Sequence, residues 1–162
     1  MSRIRVGQGF DIHPFAAGRR LVIGGVEIPF DRGLKGHSDA DVLLHAVCDA
    51  LLGAAGLPDI GHFFPPTDAS FKDANSWDLL VKVKSLVENA GYRAVINIDA
   101  TILAERPRML PHIATMKSRI AAALAISEEC IGIKATTCER LGFVGREEGI
   151  AASAVCLIAD HE

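Results

Sequence analysis

Apolar and polar positions along the chain change period several times, and each change marks an element. Residues 3–9 alternate, with Ile4 and Val6 on one side, and predict a strand. The stretch GFDIHPF (residues 9–15) follows at its end. Asp11 and His13, two apart, would point the same way there, a geometry that suits a shared ligand and equally an ordinary exposed strand end. RLVIGGVEIPF (20–30) reads as a hairpin, two apolar runs split by Gly24-Gly25. After the loop DRGLKGH, Ser38 fits an N-cap, with Asp39 and Asp41 in the first turn of a helix. That helix runs through VLLHAVCDALLGAAG and stops near Gly56 and Pro58.

Residues 58–75, PDIGHFFPPTDASFKDAN, show neither period and predict a long loop, ordered or mobile, of the kind that often carries function. A second helix is expected from about Ser76 to Ala90, ending at Gly91, and an alternating β-branched strand over 92–104. ERPRMLPH leads to a third helix, about Pro111 to Leu124, with proline in its first turn. IGIKATT (131–137) reads as a strand, CERLGFVGREEG as a polar glycine-containing loop, and IAASAVCLIA as a last strand with few polar positions on either face. No repeat, low-complexity tract or composition break appears, so residues 1–162 are expected to form a single domain. The interleaved elements, the hairpin and the β-rich ends favour an α+β sandwich over a pure βαβ series: one sheet with helices on one face. The other face then needs a cover.

Composition changes that picture in one respect. Hydrophobic residues make up 49% of the 162, and mean hydropathy is +0.26, high for a domain of this size. A subunit interface packed against the apolar last strand accounts for the excess better than an oversized core. The formal charge is −3, and no basic stripe with interleaved aromatics exists, which argues against nucleic-acid binding. No apolar run approaches the about 20 residues of a membrane span. The N-terminus enters a strand pattern without a basic and apolar leader, so a cytoplasmic protein is expected. The four cysteines form no C-x-x-C pair and read as buried reduced thiols.

Three groups of residues could carry chemistry. Asp11 and His13, joined by His45 from the first helix, would give a carboxylate and two imidazoles, the three-ligand set of a zinc site with one open position. On spacing alone this triple ranks behind a simpler reading, in which His45 is a hydrogen-bonded, half-buried helix histidine. Asp41, one helical turn before His45, is either its orienting partner or a first-turn acid. His37 and Ser38 at a helix N-terminus would favour an anion, although an N-cap explains Ser38 fully. KATTCERLGFVGREEG (134–149) gathers two threonine hydroxyls, Glu139, Arg140 and Arg146, groups able to hold a phosphate and its magnesium ion or simply to form a solvated loop. ERPRMLPH adds Arg106 and Arg108.

Five motifs then occur in order: G-x-G-F-D-x-H, G-H-S-D-x-D-V-x-x-H-A, D-I-G-x-x-F-P-x-T-D, P-x-M-L-P-H and K-A-T-T-x-E-x-L-G-F-x-G-R-x-E-G-I. From about residue 3 to 158 the chain resembles the 2-C-methyl-D-erythritol 2,4-cyclodiphosphate synthase family of the non-mevalonate isoprenoid pathway. The resemblance implies a chorismate-mutase-like sandwich: a mixed four-stranded sheet with helices on one face, a small N-terminal hairpin, and the other face packed in a trimer with active sites between subunits. It implies cyclisation of 4-diphosphocytidyl-2-C-methyl-D-erythritol 2-phosphate with loss of CMP. Zinc would be held by Asp11, His13 and His45, one ion per subunit, and magnesium or manganese by Glu139 with the substrate diphosphate. Asp11, His13, His37 and Ser38 would line the diphosphate site. Asp59, Ile60, Gly61, Phe64, Pro65, Pro66, Thr67 and Asp68 would surround the methylerythritol part, with the 58–75 loop as a lid. Ala104, Glu105, Arg106, Pro107, Arg108, Met109 and Leu110, with Ala135, Thr136, Thr137, Cys138, Glu139, Phe143 and Arg146, would form the cytidine and phosphate pocket. His37 and Thr137 are the residues expected to hydrogen-bond developing charge.

Two positions depart from the family pattern: Pro66, where an acid is usual, and Ser153, where some members carry a glutamate facing the central cavity of the trimer. Two other readings stay open from the sequence. One is a zinc phosphodiesterase giving linear products. The other is a non-catalytic trimer binding nucleotides or isoprenoid diphosphates.

Overall fold

The structure, a computed structural model, describes residues 3–161; residues 1, 2 and 162 of the expected single domain lie outside the described residues. β1 (Ile4–Ala16) pairs antiparallel with β7 (Gly149–Ala159), and β7 pairs antiparallel on its other side with β5 (Ala94–Leu103). β6 (Ile131–Thr136) runs parallel to β5. The hairpin forms its own ribbon, β2 (Leu21–Ile23) with β3 (Val26–Ile28), around Gly24 and Gly25, whose φ values of 63° and 71° match the primed turn that a two-residue hairpin needs.

The expected mixed four-stranded sheet is therefore present, with one addition. The two-residue β4 (Gly33–Leu34) pairs with Phe15 and Ala16, giving the order β4-β1-β7-β5-β6. β1 is longer than its alternating start at 3–9 suggested, and runs through Pro14. Proline is tolerated because β4 reaches only the last two residues of that edge. The last strand is the centre of the sheet and not an edge, which is why both its faces are poor in polar residues.

Three helices cover one face: α1 (Val42–Ala55), α3 (Ser76–Asn89) and α4 (Ile113–Leu124). α1 sits directly on β1, and the sequence shows how. Gly7 and Gly9 point at it, opposite Ala46, Ala50 and Ala54, one residue per helical turn. A Cβ on Gly9 would lie 2.7 Å from Ala50 N, and one on Gly7 2.6 Å from Ala54 N. Ten residues of α1 are buried, so it forms the middle of the core. The 58–75 segment is not irregular as its mixed pattern suggested. It holds a helical turn, α2 (Ile60–Phe63), and a 3-10 turn (Ala69–Phe71), each capped by an aspartate, Asp59 and Asp68. The 138–149 loop likewise contains the turn α5 (Gly142–Gly145), and the third helix is entered through a 3-10 turn (Leu110–His112).

The opposite face of the sheet carries Ile4, Val6, Phe10 and Ile12 of β1 and Val155 of β7, all exposed. Of the four thiols expected to be buried, Cys48 and Cys156 are, while Cys130 and Cys138, at the two ends of β6, are only half-buried. Among the described residues no helix is long and apolar enough to cross a membrane.

Candidate active site

Gly7, Gly9, Asp11 and His13 share the face of β1 that meets α1, so the glycines that let the helix approach also bring its first turn to the two polar side chains. Asp11 Oδ2, His13 Nε2 and His45 Nδ1 form a triangle with sides of 2.9, 3.0 and 3.1 Å. The three side chains keep 25, 18 and 13% of their surface.

Their outer partners fix which atoms face inward. His13 Nδ1–H donates to the Lys35 carbonyl at 2.9 Å, leaving Nε2 as a lone pair. The Ser76 hydroxyl donates to Asp39, so its oxygen accepts His45 Nε2–H at 2.9 Å, and His45 Nδ1 turns its lone pair inward. Two lone pairs and a carboxylate oxygen thus converge with no shared proton between neutral rings. Such a set repels itself until a cation fills it, and a divalent metal ion is what the donor set fits. Without one, burial pushes the Asp11 carboxyl up, but hydrogen bonds from the His13 and His45 rings, which form when a proton takes the cation's place on the inward nitrogens, outweigh it and hold Asp11 well below the usual carboxylate range. Burial likewise pushes His45 down, and the Asp11 carboxylate more than offsets it, leaving His45 raised.

Asp41 does not orient His45. It is the N-cap of α1, in place of Ser38, and its carboxylate accepts from the backbone N–H groups of Gly24 (2.8 Å), Gly25 (2.6 Å) and Leu44 (3.0 Å). Burial and the nearby Asp39 charge push Asp41 up to about 6 against those bonds. Ser38 lies three residues before the cap, its Oγ accepting from Ala40 N at 3.2 Å and standing 3.3 Å from His45 Nε2. Ala40 takes a left-handed conformation (φ 58°), which makes the extra turn that delays the helix. The orienting pair, Ser76 and Asp39, was missed because each fits a plain role at a helix start; only their meeting across 37 residues reveals the other one.

The triangle lines a cavity of about 250 Å³ together with His37, Ser38, Ile60, Gly61, Phe64 and Pro66, and with Phe71 and Leu79, which sequence reasoning did not name. His37 Nε2–H donates to the Asp68 carbonyl at 3.2 Å, and Asp73 N to the His37 carbonyl at 2.8 Å, tying the 58–75 segment beside it. Asp59, Pro65, Thr67 and Asp68 do not line this cavity; Asp59 and Asp68 spend their carboxylates as caps.

A second, larger cavity of about 890 Å³ opens at the end of the parallel pair β5 and β6. It is lined by all seven residues from Ala104 to Leu110 and by Ala135, Thr136 and Thr137. Phe30, Ile113, Ile133 and Lys134, not foreseen, complete it. Glu105 accepts from the backbone N–H groups of Cys138 (2.9 Å) and Arg140 (3.1 Å), holding the left-handed turn at Glu139 and Arg140. Thr137 Oγ1 donates to Glu139 at 3.2 Å. Cys138, Glu139, Phe143 and Arg146 line neither cavity, and Arg146 pairs with Glu148 at 2.8 Å. Within one chain, then, the structure brings most of the expected residues into two separate cavities and leaves Asp59, Pro65, Thr67, Asp68, Cys138, Glu139, Phe143 and Arg146 outside both.

An α+β sandwich with a carboxylate–bis-imidazole cation site at its central helix–strand contact defines a metal-binding enzyme. The family model described as "YgbB family" matches residues 4–159, and the chain belongs to that family. Curated relatives named 2-C-methyl-D-erythritol 2,4-cyclodiphosphate synthase include those of Nitrosomonas eutropha, 61% identical over the whole of this chain and 96% of the relative. The relative from Moorella thermoacetica is 60% identical, covering 98% of this chain and 97% of its own. Among solved structures, the bifunctional IspDF from Campylobacter jejuni superposes with a TM-score of 0.94 at 45% identity. That match covers 98% of this chain, which spans 43% of the longer bifunctional one. The CDP complex of IspF from Plasmodium falciparum gives 0.84 at 32% identity, covering 96% and 95% of the two chains.

Proposed function

We propose that this protein converts 4-diphosphocytidyl-2-C-methyl-D-erythritol 2-phosphate into 2-C-methyl-D-erythritol 2,4-cyclodiphosphate and CMP, as a single domain in the cytoplasm. The substrate's own 2-phosphate oxygen attacks the β-phosphorus, the bond to the CMP oxygen breaks, and CMP leaves. The observation that carries this reading is the triangle of Asp11, His13 and His45, aimed into a cavity and oriented from outside by Lys35, Ser76 and Asp39.

The chemistry asks little of the chain in acid–base terms, because a phosphate monoester is already ionised near neutral pH. It asks for positioning and charge neutralisation. Asp11, His13 and His45 would hold zinc, and Glu139 magnesium or manganese. Bound there, the metals would supply electron withdrawal from the phosphates and neutralise their charge. His37 and Thr137 would donate hydrogen bonds to the charge that develops on phosphate oxygens, their N–H and O–H turning to the substrate from Asp68 and Glu139. Ser38 and the 59–68 segment enclose the methylerythritol diphosphate, and the 104–110 segment with Ala135 and Thr136 takes the nucleotide. Cys138, Glu139, Phe143 and Arg146 would then act from beyond the two cavities as found in one chain.

The two cavities make one site if they face each other across a subunit boundary. The exposed Ile4, Val6, Phe10, Ile12 and Val155 provide the apolar face for a trimer that would do this. Phosphorus NMR of the product mixture tests the reaction. A cyclic diphosphate and CMP are expected with zinc and magnesium supplied, and none from His45→Ala. Linear methylerythritol phosphates, or full turnover by His45→Ala, would refute it.

A further inference from the structure

The larger cavity has an ionic brace that the reaction itself does not call for. Glu147 stands in the loop between α5 and β7 in the left-handed conformation (φ 57°), an unfavourable one for a side-chain-bearing residue. Its carboxylate accepts from Arg106 Nε (3.0 and 3.1 Å) and Nη2 (2.7 Å), and from Arg32 Nη2 (3.1 Å). Arg32 comes from the loop before β4 and Arg106 from the segment after β5, so one side chain joins three stretches of chain. Both guanidinium groups lie against Phe30, whose ring centroid is 5.7 Å from Arg32 Cζ and 5.9 Å from Arg106 Cζ; Arg32 also stacks over Phe15 at 4.5 Å. Both Phe30 and Arg106 line the cavity.

We propose that Glu147 is a positioning residue for nucleotide binding: its carboxylate locks Arg106, with Arg32 as the second anchor, and so sets the Phe30–Arg106 wall of the larger cavity. This rests on the reading that the cavity takes the cytidine part of the substrate. The physical case is that two guanidinium groups around one ring repel each other unless a carboxylate lies between them, and that arginine bound bidentately has a fixed plane. A backbone conformation that disfavours any side chain is occupied here by a glutamate whose carboxylate accepts from both arginines. The wall it sets is in a different cavity from the Asp11, His13 and His45 triangle. Its loss therefore weakens binding of ground state and transition state alike, raising KM and leaving kcat.

The test uses CMP binding by calorimetry and steady-state kinetics on the full chain, with two variants. Glu147→Gln keeps the shape and removes the charge; Glu147→Gly suits the left-handed backbone and removes the side chain. Both are expected to raise the Kd for CMP and the KM about fivefold, the scale of a partly exposed charged network, with kcat within about twofold. Glu147→Gly should unfold at the same temperature as the parent or higher, so that affinity and stability move apart, which a purely structural role would not give. In an Arg106→Gln background, Glu147→Gln should add less than about twofold, since the two act as a unit. Parent-like CMP affinity in both variants, an affinity loss undiminished in the Arg106→Gln background, or a loss that tracks a fall in Tm would each overturn the proposal. The parent enzyme run alongside reads the reaction separately: cyclic product from the parent with unaltered variants refutes the brace alone, and a parent that binds no CMP refutes both.

Discussion

Replacing Gly9 by alanine should damage both the fold and the metal site, and the size of the effect follows from one contact. The new Cβ would lie 2.7 Å from Ala50 N and 2.9 Å from Ala46 C, and closer still to the Ala46 carbonyl oxygen. These are backbone atoms of α1, which no rotamer change can move. Reaching ordinary contact at 3.4 Å requires the helix to retreat by about 0.7 Å at Ala50 N and by more at Ala46. A radial gap of about 0.5–1 Å forfeits a quarter to a half of each dispersion contact it opens, and ten residues of α1 are buried. The upper end of the overpacking range, about 3 kcal/mol, is expected. For a chain of 162 residues that is a fall in Tm of about 6–12 °C. Metal ligands tolerate displacements of only about 0.2 Å, and His45 moves with the helix while Asp11 and His13 stay on the strand. Metal affinity should therefore drop more than about tenfold. Gly53→Ala is the internal control: it lies on the same helix, its Cβ would meet nothing closer than Gln8 O at 3.9 Å, and an exposed helix-interior alanine should add about 0.5–1 kcal/mol. Urea unfolding at equal protein concentrations and a competitive metal titration read both. A Gly9→Ala protein within about 1 kcal/mol of the parent, with unchanged metal affinity, would refute the account of how α1 is seated.

Ser76→Ala removes the acceptor of His45 Nε2–H and one of the three donors to Asp39, which keeps the backbone N–H groups of Ser76 and Asp41; metal affinity measured by chelator competition should fall about 10- to 100-fold with the ligands themselves intact, and an unchanged affinity would refute the orienting role. The metal-free protein should be most stable in mildly acid solution. Asp11 is depressed, so its contribution is present above the unfolded carboxylate value of about 3.9 and lost as pH falls through its folded value; His45 is raised, so its contribution is present below about 6.5 and lost as pH rises through its folded value. Asp41, pushed up to about 6, loses stability in the same rising direction between about 3.9 and 6. Urea midpoints of chelator-treated protein across pH 3 to 9 should show this maximum, and metal should shift it upward in pH because the ligand protons must leave; a maximum at pH 8 without metal would contradict the signs.

What could be read in the sequence, and what could not, divides along a physical line. Local period and turn chemistry decided the hairpin at Gly24-Gly25, the helix ending at Gly56 and the strand over Ala94–Leu103, because each is settled by neighbours within a few residues. The misplaced cap at Ser38 shows the limit. Ser38, Asp39 and Asp41 all have cap chemistry, and the choice falls to Asp41 because the hairpin turn of Gly24 and Gly25 supplies two more donors to the same carboxylate. The aspartate-capped turns in 58–75 were hidden because four residues of helix produce no period.

For the site the same line separates ligands from their support. Spacing alone ranked a half-buried helix histidine above a metal ligand, since Asp11, His13 and His45 belong to two elements whose contact is not a sequence property. Yet the contact had a trace in the chain: glycines at 7 and 9 in register with the strand face of Asp11 and His13, and alanines at 46, 50 and 54 on the helix that carries His45. A strand stripped of side chains on one face can only be serving a backbone that comes close, and the first residues beyond the stripped stretch are those left to meet that helix's first turn. The pairing of small residues with adjacent ligand-type residues on both partners is thus a stronger indication of the site than the spacing of the ligands themselves, and it makes site precision depend on main-chain contact, the least adjustable contact in the core.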